Sequence, residues 1–143
     1  MKNSANTFQI SEAVPEDYIM IDALAKSMDL DRQNLHAEQF VVVRKGNQIL
    51  GFGRLLKHDG FCEIATLGVT EPFRKKGIGE VIVRKLSEKT REDIFLVTVI
   101  PAYFSKLGFS EVQEFSDVFL KKIEFCKCYH FSDEEIKVMK LVR

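Results

Sequence analysis

The sequence predicts a single mixed α/β domain whose sheet is antiparallel in its first half and gains a parallel crossover in its second half. The chain has 143 residues, which suits one domain and leaves little room for a second. Short apolar runs joined by tight polar turns in the first half are typical of antiparallel hairpins. A strand, a helix and another apolar strand then follow each other, which is typical of a parallel β–α–β crossover.

The first half of the chain is expected to begin with a strand and a helix and to continue as a meander. Pro15 followed by two acidic residues is a common helix opening, and the residues after it have apolar side chains at helical spacing. We also expect a second, short helix at Asp31–Ala37. Polar turns at 45–48 and 58–60 separate the meander strands. The strands expected in this half are Phe8–Ile10, Phe40–Arg44, Ile49–Leu56 and Phe61–Val69.

The second half begins with a glycine-containing loop that leads into a helix, Glu80–Lys89, with a broad apolar face. The short apolar run Ile94–Val99 is expected to be a buried strand. Pro101 opens a further helix, and Gly108 ends it as a left-handed cap. The remaining expected elements are the strands Phe109–Val112 and Val118–Ile123 and a helix Asp133–Lys140 with Ser132 as its N-cap.

Charge and composition argue against nucleic-acid and membrane partners. Lys+Arg and Asp+Glu both number 21, so the net charge is near zero, whereas a general nucleic-acid binder is normally more basic. No apolar run approaches the ~20 residues that a membrane helix needs. The segment Met1–Asn6 is polar and lacks the apolar region of a signal peptide, so we expect a cytoplasmic location. The three cysteines do not make a disulfide framework in a chain this long.

The segment Arg74–Gly79 has the properties of a phosphate-binding loop. It joins an apolar strand to a helix and combines two spaced glycines with three cations. Because Gly77 and Gly79 lack a Cβ, an anion can come close to the main chain. Amides at a helix start have no intrahelical partners and point at such a ligand. The sequence therefore predicts a phosphate-bearing ligand here.

Two motifs together resemble the GNAT superfamily of N-acetyltransferases. Arg74-x-x-Gly77-x-Gly79 follows a strand ending in 67–69, and the stretch Tyr103–Phe109 comes about thirty residues later in the matching strand–helix order. The resemblance implies a GNAT-like fold, with a mostly antiparallel mixed sheet flanked by helices and one parallel β–α–β crossover. It implies one acetyltransferase domain with its core at about 8–123 and a C-terminal extension at 124–143.

Within the superfamily the chain is most similar to the N-acetylglutamate synthase type of domain. Its strand 63–69 reads Glu-Ile-x-x-Leu-x-Val, its second motif has Phe104 where most members have tyrosine, and its tail carries Cys126 and Cys128. The resemblance implies an enzyme that moves an acetyl group from acetyl-CoA to a primary amine of a small molecule. An amino acid such as glutamate is the leading candidate for the acceptor.

The resemblance also implies which residues hold the cosubstrate. The glycine loop would bind the pyrophosphate of CoA, and the strand before it would offer backbone amides to the pantetheine arm and the acetyl carbonyl. The three cations of the loop would add positive charge. The residues expected to bind the cofactor are Leu67, Gly68, Val69, Arg74, Lys75, Lys76, Gly77, Ile78, Gly79, Glu80 and Phe104.

The acceptor amine is mostly protonated at neutral pH and must lose a proton before it attacks. The resemblance implies that a carboxylate on the strand lining the cofactor cleft is the general base, which makes Glu63 the expected base. The alternative is that Glu63 only faces solvent, and Glu71 and Glu80 are competing carboxylates. By the same resemblance, Phe104 occupies the position at which most members of the superfamily have a tyrosine that often protonates the departing thiolate. Tyr103 is one residue away and would point about 100° to the side on a helix, so no general acid is assigned.

Arg54 on the hairpin strand is the candidate clamp for a substrate carboxylate, with a solvated surface arginine as the alternative reading. Lys26 and Arg32 are equally open candidates for substrate contact. The Cys-x-Cys-x-His tail at 126–130 offers fewer ligands than a structural zinc usually needs, so no metal is expected.

Two other functions stay open at this point. The missing tyrosine is compatible with a non-catalytic acyl-CoA-binding regulatory domain. Acetylation of protein N-termini or lysines would differ only in the acceptor. Exposed β-edges in a domain of this size also leave a homodimer as an open alternative.

Overall fold

The computed structural model of the protein describes residues 8–143, so the polar start from which no signal peptide is expected lies outside the described residues. The helices in this range are α1 (Tyr18–Ser27), α2 (Ile78–Ser87), α3 (Pro101–Ser105) and α4 (Leu120–Cys128). The strands are β1 (Gln9–Glu12), β2 (Phe40–Lys45), β3 (Gln48–Lys57), β4 (Phe61–Val69), β5 (Asp93–Thr98), β6 (Phe109–Glu111) and β7 (Lys137–Leu141). None of the described helices is both long enough and apolar enough to cross a membrane.

The strands of residues 8–143 form one seven-stranded sheet in the order β1-β2-β3-β4-β5-β7-β6. β2 pairs antiparallel with β1 and with β3, and β7 pairs antiparallel with β5 and with β6. β4 and β5 run parallel, with Glu63 opposite Phe95, and α2 lies in the connection between them. The expected fold class, a mostly antiparallel mixed sheet with a parallel β–α–β crossover, is confirmed.

The chain divides into two compact units. Unit 1 contains the chain up to Leu56 together with Ile64–Arg91, and unit 2 contains Lys57–Glu63 together with Glu92–Arg143. Each unit is described by itself below. The expectation of a single domain stays a prediction.

Unit 1 has an apolar core between α1 and the strands β2 and β3. On α1, Ile21 and Ala25 are completely buried, whereas Tyr18 at the start of the helix is 43% exposed. Burial of such side chains is the main favourable term in folding. The core residues are Ile21, Ala25, Leu35, Phe40, Val42, Ile49 and Phe52.

Two glycines on β3 allow α2 to lie close to the sheet. A Cβ at Gly51 would be 2.8 Å from Cγ2 of Ile78, and a Cβ at Gly53 would be 2.9 Å from Cγ2 of Ile82. Both distances are too short for real carbon atoms, so larger residues there would push the helix away. The glycines therefore set where the N-terminus of α2 lies within unit 1.

Unit 2 is built around β5 and β7 and contains a cluster of phenylalanine rings. Phe61, Phe95 and Phe119 contact one another with ring centroids 5.6–5.8 Å apart, which is the usual range for aromatic pairs. Phe119 is 1% exposed. It lies in the turn that leads into α4, so this turn is anchored on the strands.

The short helix expected at Asp31–Ala37 is not formed. The Asp31 carboxylate accepts a hydrogen bond from the amide of Gln33 at 3.0 Å, and Asn34 has a positive φ of 51°. Such local side-chain-to-backbone bonds compete with helix formation. The segment instead forms turns and a 3-10 turn at Ala37–Gln39.

Two expected elements at the C-terminal end are exchanged in type. The strand expected at Val118–Ile123 is instead the end of the 3-10 turn Asp117–Phe119 followed by the start of α4. The Ser116 side chain caps the 3-10 turn by accepting a hydrogen bond from the amide of residue 118. The helix expected at Asp133–Lys140 makes one turn, in which the amide of Ile136 donates to the Ser132 carbonyl. The chain then extends as β7, because pairing on both edges with β5 and β6 outweighs helix propensity.

Candidate active site

The glycine loop of unit 1 has its amides ahead of the first helical hydrogen bond. After Val69, a 3-10 turn at Glu71–Phe73 leads into the loop, and α2 begins at residue 78. The first bond of the helix runs from the amide of Val81 to the carbonyl of Gly77, at 3.1 Å. The amides of 78, 79 and 80 precede this bond and are the donors that a helix start offers to an anion.

Gly77 has the backbone conformation and the open space that a phosphate cradle needs. Its φ is +81°, a region that favours glycine, and a Cβ built there would meet no atom within 4 Å. Lys75, two residues earlier, also has a positive φ of 65°. The residues present therefore fit the expected pyrophosphate of CoA.

The charged side chains of the loop are all exposed, and Arg74 and Lys76 contact different partners. Arg74 donates from Nε to the carbonyl of Val69 at 2.8 Å, which ties the loop to the end of β4. The Nζ of Lys76 lies 5.7 Å from the centroid of the Phe73 ring, a cation–π distance. Arg74, Lys75 and Lys76 are all exposed, so their charge can attract an anion from solution.

In the first turn of α2, Gly79 is on the buried side and the Glu80 side chain is on the outer side of the helix. Gly79 is buried. The Glu80 carboxylate accepts hydrogen bonds from Arg84 on the outside of the helix, the shorter at 2.7 Å. Any contact of Glu80 with a cofactor would therefore be made by its backbone amide.

Strand β4 bends at Thr66, just before the expected acetyl-binding residues. Thr66 has a φ of +52°, which is unusual for a β-branched residue and marks a local bend of the strand. Its hydroxyl donates to the carbonyl of Asp31 at 2.8 Å. At Gly68, a Cβ would lie 2.8 Å from Sδ of Met28, so this face of the strand is packed against the core. No sequence pattern indicates the bend.

Arg54 is buried inside unit 1 and is 1% exposed. Its Nε donates to the Thr66 hydroxyl at 2.9 Å, and its Nη1 donates to Oε1 of Gln39 at 3.0 Å. The other donors reach the carbonyls of 33 and 34 and the carboxylate of Asp31. These contacts favour a structural role. Contact with a substrate carboxylate stays a prediction that this placement does not support.

Replacing Arg54 by methionine is expected to lower the free energy of unfolding by about 3–5 kcal/mol, because the change leaves the buried partners of the guanidinium unsatisfied. Urea unfolding measures the difference. Arg84→Met is the matched control, since Arg84 pairs with Glu80 on the exposed side of α2 and its removal should leave stability nearly unchanged. Equal stability changes in the two variants would contradict the structural role of Arg54.

Glu63 is buried in unit 2, with 5% of its surface exposed. Its Oε1 lies 3.0 Å from Nε2 of His58, and its Oε2 lies 3.6 Å from Nζ of Lys122 on α4. The alternative that Glu63 only faces solvent is therefore wrong. Burial between two partners fixes the position of the carboxylate, and its role as base stays a prediction.

His58 is the partner of Glu63 that sequence analysis missed. The turn after β3 closes with a hydrogen bond from the His58 amide to the Phe61 carbonyl at 2.8 Å. The imidazole stacks on the ring of Phe61 at 4.9 Å and meets the edge of Phe119 at 6.2 Å. The histidine precedes Glu63 by five residues across a tight turn, and this spacing is the only signal of the pair in the sequence.

Phe104 lies inside unit 2 and Tyr103 lies near its surface. Phe104 is 6% exposed and packs edge-to-face on Phe109, with centroids 5.8 Å apart. Tyr103 is 38% exposed. The phenylalanine thus has a packing role in α3, and its expected contact with the cofactor stays a prediction.

The cysteines of the tail do not form a metal site with neighbouring residues. Among residues 8–143, no group of three or more His, Cys, Asp or Glu side chains is placed to hold a metal ion. Burial raises the pKa of the Cys126 thiol, and the nearby charge of Lys122 opposes this shift. Cys128 is exposed.

The other candidates for substrate contact or catalysis also lie in unit 1. Lys26 and Glu71 are exposed. Arg32 is partly buried and makes a long contact of 3.5 Å with Asp22, and its Nη1 is buried without a hydrogen-bond partner among the described residues. Unit 1 thus holds the glycine loop, residues 67–69 and Arg54, whereas unit 2 holds Glu63 and Phe104.

Comparison with known proteins supports the expected family. A family model described as acetyltransferase (GNAT) family matches residues 8–109. The uncharacterized N-acetyltransferase CT2212 of Chlorobaculum tepidum is 31% identical over 84 residues, which are 55% of this chain and 54% of that protein. The chain therefore spans about half the length of this relative.

Two solved structures share the fold at low sequence identity. Rv2747 from Mycobacterium tuberculosis, solved in complex with CoA, has a TM-score of 0.72 at 20% identity, covering 94% of this chain and 99% of that one. N-acetylglutamate synthase from Neisseria gonorrhoeae, solved with coenzyme A and N-acetyl-glutamate, has a TM-score of 0.75 at 20% identity. That match covers 96% of this chain and 36% of the synthase chain.

Proposed function

The chain belongs to the acetyltransferase (GNAT) family, and we propose that it transfers an acetyl group from acetyl-CoA to the primary amine of a small molecule. The observation that carries this proposal is the glycine loop, in which Gly77 has a positive φ, open space beside it and helix-start amides after it. The proposed acceptor is an amino acid, with glutamate as the first choice.

Unit 1 supplies the proposed binding groups for the cosubstrate. The amides of 78–80 would hold the pyrophosphate, and the exposed cations of 74–76 would compensate its charge. Backbone amides of 67–69 would hold the pantetheine arm and polarise the acetyl carbonyl, because amides fixed in a strand need no reorganisation. Acetyl-CoA, when bound, supplies the acetyl group as a reactive thioester.

Glu63 is the proposed proton acceptor for the ammonium form of the acceptor. Its carboxylate is buried, and His58 and Lys122 hold its two oxygens in place. This fixed geometry suits a general base. The ring of Phe104 has no acidic proton to donate. We therefore propose that CoA leaves as a thiolate and that no protein side chain protonates its sulfur.

The choice of an amino acid rests on two supports. The strand Glu63–Val69 has the pattern that resembles the N-acetylglutamate synthase type. The solved synthase that shares the fold holds N-acetyl-glutamate, although this chain spans only 36% of it. The acceptor is therefore proposed as a class, small amines with a carboxylate, and glutamate is its first member.

Release of free CoA thiol over a panel of amines tests the proposal. We expect acetyl-CoA alone to be stable and one amino acid, glutamate first, to stimulate thiol release at least tenfold. Lysine-containing and N-terminal peptides in the same panel test the protein-acetylation alternative. Tight acetyl-CoA binding without stimulation by any amine would instead favour the non-catalytic acyl-CoA-binding domain, which Phe104 motivates.

A further inference from the structure

The structure assigns to Arg54 the role of a positioning residue that holds the bend of β4 in place for catalysis. We propose that Arg54 and the Thr66 hydroxyl lock the segment Asp31–Gln39 to this bend, and that the lock sets the direction of the amides at 67–69. The inference rests on the proposed function, because those amides are its proposed contact to the acetyl carbonyl.

The Thr66 hydroxyl connects Arg54 on β3 with Asp31 through two hydrogen bonds. It accepts a hydrogen bond from Nε of Arg54 at 2.9 Å and donates one to the carbonyl of Asp31 at 2.8 Å. A hydroxyl offers one donor and two acceptor positions, so both bonds form at once. Thr66 is 6% exposed, and water therefore competes little for either bond.

The segment on the other side of the lock, Asp31–Gln39, has no strand or α-helix and consists of turns and the 3-10 turn at Ala37–Gln39. Arg54 holds it through the carbonyls of Gln33 and Asn34, at 3.1 and 3.3 Å, and through the side chain of Gln39 at 3.0 Å. These acceptors are spread over seven residues of turns, and one planar guanidinium reaches them all. A lysine, with one terminal nitrogen, could not make the same set of bonds.

The bend itself costs free energy and needs such a restraint. A β-branched residue at a φ of +52° is in a sparsely populated region, and residues of this kind persist only where the surroundings hold them. The direction of the next three amides follows from this torsion. We therefore expect loosening of the lock to move the amides away from the acetyl carbonyl without unfolding unit 1.

Thr66→Val tests the lock, because it removes the hydroxyl but keeps the volume and the β-branch. Hydrogen exchange without any ligand should become about tenfold faster for the amides of 31–39 and 67–69, as loss of a buried hydrogen bond predicts. Thr66→Ser should restore slow exchange. Thr98→Val is the matched control, since Thr98 is equally buried and its hydroxyl also accepts a hydrogen bond.

The kinetic test uses acetyl-CoA and the best amine of the panel. We expect kcat of Thr66→Val to fall about 10- to 100-fold. The KM for acetyl-CoA should change less than kcat, because the amides of 67–69 also hold the pantetheine arm but the glycine loop is not altered. Unchanged exchange in Thr66→Val, or a kcat equal to that of Thr98→Val, would overturn the inference. If no amine is acetylated, the proposed function fails and the exchange experiment alone decides about the lock.

Discussion

Replacing Gly77 by glutamate is expected to abolish acetyl-CoA binding while the protein still folds. The new side chain would start from open space, since no atom lies within 4 Å of a Cβ at this position. It would place a carboxylate in front of the amides that start α2, where the pyrophosphate is proposed to bind. The new carboxylate and the pyrophosphate are both negatively charged and would repel each other. The amides would pair with the carboxylate instead of the pyrophosphate. Calorimetric titration with acetyl-CoA measures the loss.

Gly46→Glu is a close control for this variant. Gly46 lies in the turn between β2 and β3, has a positive φ of 61°, and a Cβ at this position would likewise meet no atom within 4 Å. Both variants carry the same charge change and a similar backbone cost of roughly 1–2 kcal/mol. We expect only Gly77→Glu to lose binding. Wild-type affinity in Gly77→Glu would show that the loop does not hold the pyrophosphate.

The second large effect is expected for Glu63→Gln, which should lower kcat about 10²- to 10⁴-fold, the usual contribution of a general base. Glutamine keeps the size of the side chain and its position between His58 and Lys122, but it cannot accept a proton at neutral pH. The affinity for acetyl-CoA should stay within a factor of about two, because the proposed cofactor contacts lie on other residues.

Glu71→Gln separates this role from a general effect of carboxylate loss. Glu71 is the competing carboxylate, and it is exposed in the 3-10 turn after β4. We expect wild-type kcat for it, measured by thiol release with the best amine. A large loss in Glu71→Gln together with near-normal kcat in Glu63→Gln would move the base to Glu71. Thermal unfolding of both variants shows whether either loss reflects misfolding.

The elements that sequence analysis predicted correctly are those defined by local signals. The meander strands are separated by polar turns, and the helix after the glycine loop has its apolar side chains on one face, so periodicity and turn residues suffice to find them. The place of the glycine loop between β4 and α2 was predicted from local signals in the same way, whereas its binding of phosphate stays a prediction.

Two of the elements predicted wrongly depend on partners distant in the sequence. The stretch 133–140 has an N-cap serine and acidic residues, and it does form one helical turn before it extends as β7 between two other strands. At Asp31–Ala37, the carbonyls of Asp31 and Gln33, which a helix would use internally, instead accept hydrogen bonds from Thr66 and Arg54. Neither the strand partners nor the arginine can be recognised from a window of neighbouring residues.

The sequence by itself therefore determined the family resemblance, the fold class and the position of the glycine loop, because each depends on residues adjacent in the chain. Only the tertiary structure decided the environments of Arg54 and Glu63. Both are charged residues on strands, and their burial depends on which distant side chains supply hydrogen bonds. A charged side chain can be buried only where such partners form hydrogen bonds with it. Folding brings these partners together from distant parts of the sequence.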